Sequence, residues 1–179
     1  MISDGFPHYV HLLTEKLLWQ VFEDPNEIVE TLPQHYTGAV SAAVVEIEPH
    51  LKVMYERATL KYKADYASVL WAVADHHSLK RRSVDIFASY KRIVLSKGET
   101  PLERDKFNQR MNTLKRPAHG SILKANRQGW YEFGEAVVRG YVRLQAEANG
   151  VQLGNEHPLD GRTPGALSEN VVSVYRSRQ

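Results

Sequence analysis

The sequence predicts a mainly α chain. A helical bundle occupies residues 1–60, a domain of three helices, a β-hairpin and a closing helix occupies 61–150, and an extended or disordered tail fills 151–179. Three observations predict this. Apolar side chains recur at three- and four-residue steps through most of the first 150 residues. A glycine-containing turn between two short apolar and aromatic runs interrupts that period near residue 126. The charge is also divided: residues 1–60 hold three Lys/Arg against nine Asp/Glu, residues 61–150 seventeen against nine, and the tail three of each. An acidic half joined to a basic half predicts separate roles, with the basic half suited to a polyanion.

The length of 179 residues allows one sizeable core or two small ones, and the charge division favours two. There is no cysteine, so neither disulfides nor a thiolate zinc site hold the fold. No stretch approaches the roughly 18 apolar residues of a membrane span, and residues 1–30 lack the basic segment followed by an apolar run that marks secretion, so no leader is expected. A cytoplasmic chain without a membrane partner is expected.

The elements follow in order. Ser3-Asp4-Gly5-Phe6-Pro7 sets capping residues before a proline suited to a first helical turn. Val10, Leu13, Leu17 and Val21, with Leu18, then line one face of a helix from Pro7 to Phe22. Asp24-Pro25-Asn26 breaks it, and a helical region runs from Pro33 to Leu60 with Pro49 as a kink or junction. Its apolar positions include Val40, Val44, Ile47, Leu51, Met54 and Tyr55.

In the basic half, Tyr66, Val69, Leu70 and Val73 mark a first helix, closed by His76-His77-Ser78. Val84, Ile86, Phe87, Tyr90 and Val94 mark a second. A third runs over 101–116, with Pro101 in its first turn and Phe107, Met111 and Leu114 as one narrow buried stripe. The runs 121–125 and 130–133 flank the turn Asn126-Arg127-Gln128-Gly129 as a hairpin, and a closing helix from Glu135 to Ala148 buries Val138, Tyr141, Val142 and Leu144. In the tail, Val171, Val172, Val174 and Tyr175 offer the apolar side chains through which it could dock. Trp19, Trp71 and Trp130 sit in apolar patterns and read as packing residues.

Three helices followed by a hairpin is the order of a winged helix, a helix-turn-helix variant. With 101–116 as the recognition helix, the side opposite Phe107 carries Asp105, Asn108, Gln109, Asn112, Thr113 and Arg116. Asn and Gln pair with adenine edges and Arg with guanine. Arg104, Lys106, Arg110 and Lys115 flank that face where phosphates would lie, and Lys124 and Arg127 put positive charge on the wing. Double-stranded DNA is the expected partner; a solvated polar helix, or a protein-interaction surface, is the alternative reading of the same residues.

Ser3-x-Gly5-x-Pro7-His8 before an apolar helix resembles the second sensor region at the start of the lid of AAA+ ATPases, of the cell-division-control and origin-recognition type and their bacterial relatives. The likeness continues through Tyr55-Glu56-Arg57-Ala58-Thr59, the 120–133 hairpin and Arg139-x-Tyr141-Val142-Arg143, and covers about residues 1–148. The resemblance implies that 1–60 is lid-like. It also implies an ATPase core N-terminal to this chain, binding ATP and magnesium in the full-length protein, with Met1 not the natural start. The chain itself has no G-x-x-x-x-G-K-[ST] and no strand ending in paired acids, so no cofactor and no hydrolysis are expected of it. His8 stands where the family presents an arginine to the nucleotide; imidazole offers one donor there, and a surface or capping residue is the plainer reading. The own ATPase core, and a homo-oligomer, join DNA as expected partners.

Two alternatives belong to other classes: a protein-interaction or oligomerisation module of a signalling or defence ATPase, and a free-standing winged-helix transcription regulator. Other constellations carry less. His8, His11 and Glu15 could share a helix face, but zinc sites draw ligands from more than one element, so no metal is expected. There is no G-x-S-x-G, and Glu46 and Glu48 diverge on a helix, so no catalytic centre is expected.

Overall fold

A proline opens each of the first three helices, because its missing N–H is one that no first turn could pair. In the computed structural model, which describes residues 6–26, 29–47, 49–60 and 65–154, these are α1 (Pro7–Phe22), α2 (Pro33–Glu46) and α3 (Pro49–Thr59). The Pro49 junction thus separates two helices. The buried face of α1 differs from the expected one: Tyr9 and Leu12 are buried, whereas Val10 and Leu18 are exposed. Tyr9 sets this rotation. Its hydroxyl donates to the Val137 carbonyl at 2.7 Å and its ring lies against Gly140. Trp19, expected in the packing, is 51% exposed. Lys16 is ion-paired with Glu46, which pins α1 to α2.

The basic half contains α4 (Asp65–Ala74), β1 (Arg81–Arg82), α5 (Ser83–Ser96), α6 (Arg104–Thr113), a 3₁₀ turn (Pro117–His119), β2 (Leu123–Ala125), β3 (Trp130–Phe133) and α7 (Ala136–Ala148). Helix α6 is shorter than expected. Pro101 lies before it, in a half-buried segment held by the Leu102 N–H donating to the Tyr90 hydroxyl at 3.3 Å. At the other end Lys115 and Arg116 lie in the turn that follows. The hairpin gains a third strand that a two-residue run cannot advertise: β1 pairs antiparallel with β3, giving the order β1-β3-β2.

Helix α4 is buried almost all round, with eight of its ten side chains inside. Helix α7 packs against α2, α3 and α4, so the buried apolar side chains form one cluster running from Tyr9 to Val151. Val151, assigned to the tail, is 4% exposed, and the Gly154 N–H donates to Asp75 Oδ1 at 3.1 Å. Val171, Val172, Val174 and Tyr175 lie outside the described residues.

Candidate nucleic-acid interface

Phe107, Met111 and Leu114 are all fully buried, the Phe107 ring packing on Phe87 and Tyr90 at centroid distances of 5.0 and 5.1 Å. That seating turns Asp105, Lys106, Gln109 and Asn112 outward, with Arg116 exposed just beyond the helix. Lys106 and Arg116 have no partner among the described residues, so they are available to phosphate. Asp105 is the one exposed carboxylate in this group.

Other expected contacts are engaged within the chain. Arg104 Nη2 donates to Ser83 Oγ at 3.0 Å, and its guanidinium lies 4.7 Å from the Phe87 ring centroid. Asn108 Oδ1 accepts from the same Ser83 hydroxyl at 3.3 Å, which draws it toward α5. Thr113 Oγ1 donates back to the Gln109 carbonyl at 2.8 Å. Arg110 Nε donates to Asp65 Oδ2 at 2.9 Å and its guanidinium lies 5.0 Å from the Tyr66 centroid. The Asp65 hydrogen bond pushes the Arg110 pKa further up, committing that cation to α4. Lys115 lies 5.6 Å from the Tyr131 ring, and Lys124 Nζ donates to the Gly134 carbonyl at 2.9 Å.

The hairpin tip is shaped by Asn126, whose Oδ1 accepts from the Gln128 and Trp130 N–H groups at 3.1 and 3.0 Å. Gly129 follows with φ at +77°, a backbone conformation that L side chains rarely adopt. Arg127 is exposed at this tip. Beside it, Arg82 sits 5.1 Å from the Trp130 ring centroid, and a groove of about 500 Å³ runs between Arg82, Ser83, Val84, Gln128, Gly129 and Trp130. Four outward groups, Lys106, Gln109, Asn112 and Arg116, thus lie on α6 or just beyond it, and the hairpin tip carries the exposed Arg127.

No protein-family model, curated protein or solved structure matches this chain.

Sequence reasoning missed a second set of arginines. Arg81, Arg139 and Arg143 are 5%, 1% and 6% exposed and converge on the end of α4. Arg81 Nη1 donates to the Ala72 carbonyl at 2.6 Å, Arg143 Nε to Ala74 at 2.9 Å, and both Arg139 and Arg143 to His76. Beside them the fully buried Asp75 is ion-paired with Arg92. The only signal was the spacing of Arg139 and Arg143, four apart on a helix otherwise lined with core residues. These cations contribute to the +8 of the basic half without facing solvent.

His8 and His11 are exposed, and the His8 ring stands 5.4 Å from that of Tyr9. Among the described residues no group of three His, Asp or Glu side chains is placed to hold a metal ion, and no helix is long and apolar enough to cross a membrane.

Proposed function

We propose that residues 65–133 form a winged helix that binds double-stranded DNA, with α6 as recognition helix and the β2–β3 hairpin as wing. The order helix, strand, helix, helix, hairpin, with β1 joined to β3, carries this reading. Because β1 leads directly into α5 and α5 seats α6 through Phe87 and Tyr90, wing and helix are both tied to α5, which suits docking on a duplex. Gln109 and Asn112 supply the amide pairs that read adenine, Arg116 the fork that reads guanine or grips phosphate, and Lys106 and Arg127 the flanking charge.

Three outward cations predict a modest salt dependence. Each phosphate neutralised contributes about −0.9 to the log–log slope, so affinity for a duplex should fall with a slope of about −3. Fluorescence anisotropy across a salt series measures it, and an affinity flat with salt removes the reading. Arg116→Ala should weaken binding to all sequences and lower the slope by about 1, while Asn112→Ala should relax base preference by about 1–3 kcal/mol.

In this reading α1–α3 is the lid-like part of an AAA+ ATPase whose ATP- and magnesium-binding core precedes residue 1, as the Ser3 to His8 resemblance implies. An in-frame phosphate-loop sequence upstream of Ser3 supports it, and a genuine start codon at Met1 favours a free-standing regulator instead. One observation favours a protein-interaction module: Arg104, Arg110, Lys115 and Lys124 all have intramolecular partners or ring contacts. Unchanged DNA affinity in the Asn112→Ala, Arg116→Ala double variant would transfer the proposal to that module.

A further inference from the structure

Helix α1 buries only Tyr9 and Leu12. Near its C-terminal end Leu18, Trp19 and Phe22 are 65%, 51% and 80% exposed, and with Glu15 they line an open groove of about 340 Å³. The Trp19 and Phe22 rings meet edge to face at 5.8 Å. Single exposed apolar side chains are ordinary, whereas three on adjacent turns make a patch that marks an interaction site. Its rim is acidic. Glu15 and Glu23 stand one turn before and after Trp19, and the one lysine of α1, Lys16, is already bonded to Glu15 and Glu46.

The occupant that fits is apolar and basic, and the chain carries such a segment beyond residue 154. Val171, Val172, Val174 and Tyr175 precede Arg176 and Arg178, with no acid between 171 and 178. In an extended register Val172, Val174, Arg176 and Arg178 share one side, apolar then basic, as Trp19 and Phe22 stand beside glutamates. Gly154 is held at Asp75, and the chain from there to Val172 reaches up to roughly 60 Å when extended, more than the span of a domain this size. We propose that segment 171–178 of this chain covers the α1 patch, with Val172 and Val174 on Leu18, Trp19 and Phe22 and its arginines beside Glu15 and Glu23.

The absence of cysteine makes the test clean. Spin labels on Thr14→Cys and Ser177→Cys in the full chain, read by pulsed electron resonance at low concentration, should give a narrow short-distance population. That population should be lost in Trp19→Ala/Phe22→Ala and in Val172→Asp/Val174→Asp, and reduced in Arg176→Glu/Arg178→Glu. A broad distribution in the parent chain, or a narrow one indifferent to both apolar variants, overturns the proposal. A short distance that arises only between singly labelled chains mixed together also overturns it, and assigns the patch to a second copy.

Discussion

Two glycines in helices show how a single Cβ is judged by what it meets. At Gly140 a Cβ would lie 2.2 Å from the ring of the fully buried Tyr9, whose hydroxyl is tied to Val137. At Gly38 the nearest atom, also at 2.2 Å, is the amide end of the Gln20 side chain, which can swing away. Gly140→Ala should therefore destabilise by about 2 kcal/mol or more despite the better helix former. Gly38→Ala should stabilise by about 0.5–1 kcal/mol, and urea unfolding of both variants measures the contrast. Asp24 is a second telling residue. The Leu32 N–H donates to His35 Nδ1 at 3.2 Å, which leaves Nε2 to donate to Asp24 Oδ2 at 2.7 Å. His35 first, and the Asn26 N–H second, hold the Asp24 carboxyl below its ordinary value of 3.8. A lowered carboxylate stabilises the fold above its unfolded pKa, and that contribution is lost as pH falls through the native value. The melting temperature of Asp24→Asn should lie below the parent's at neutral pH, and the two should converge as the pH falls through the lowered native value. Parallel curves throughout would contradict the role given to this pair.

At the scale of elements, the end of α4 is the informative place. The last carbonyls of a helix have no intrahelical partner and carry partial negative charge, so buried ends need donors. Here the donors are guanidinium groups, Arg81 from the nearby β1 and Arg139 and Arg143 from α7, which is distant in sequence and adjacent in space. Arg143→Ala should cost about 2–4 kcal/mol by leaving the Ala74 and His76 carbonyls short of a buried cationic donor. Arg143→Lys should recover only part, because an ammonium lacks the planar fork that reaches both carbonyls; thermal melts of the two variants give the comparison. This arrangement also explains what could be read beforehand. Helix bounds at Pro7, Phe22, Pro33 and Ala148 were legible because prolines and apolar period mark them locally. The strand at Arg81–Arg82 was not, since its identity comes from pairing with Tyr131 and Trp130, fifty residues away. The outward side of α6 was legible from Phe107, Met111 and Leu114, yet the inward turn of Arg104 and Asn108 depended on Ser83, which no period on α6 reveals.

Across the whole molecule, the acidic and basic halves share their buried apolar cluster through α7, which touches α2, α3 and α4. Denaturation followed by far-ultraviolet dichroism and by tryptophan fluorescence should therefore give coincident transitions. Gly140→Ala should shift both together, and a helical signal from 1–60 surviving loss of the Trp71 environment would refute this coupling. The charge asymmetry looked like a division of labour from composition alone, and part of it is instead internal, spent on carbonyls in the core. The contact between Tyr9 and Val137 spans 128 positions and has a further meaning for a chain made from its N-terminus. Helices α1 and α2 leave the ribosome before α7 and can pair early, but the notch at Gly140 that receives Tyr9 is made well after them. Closing so long a loop is entropically slow, and until it closes the inner faces of the first helices are open to other chains. Final burial of α1 thus waits for α7.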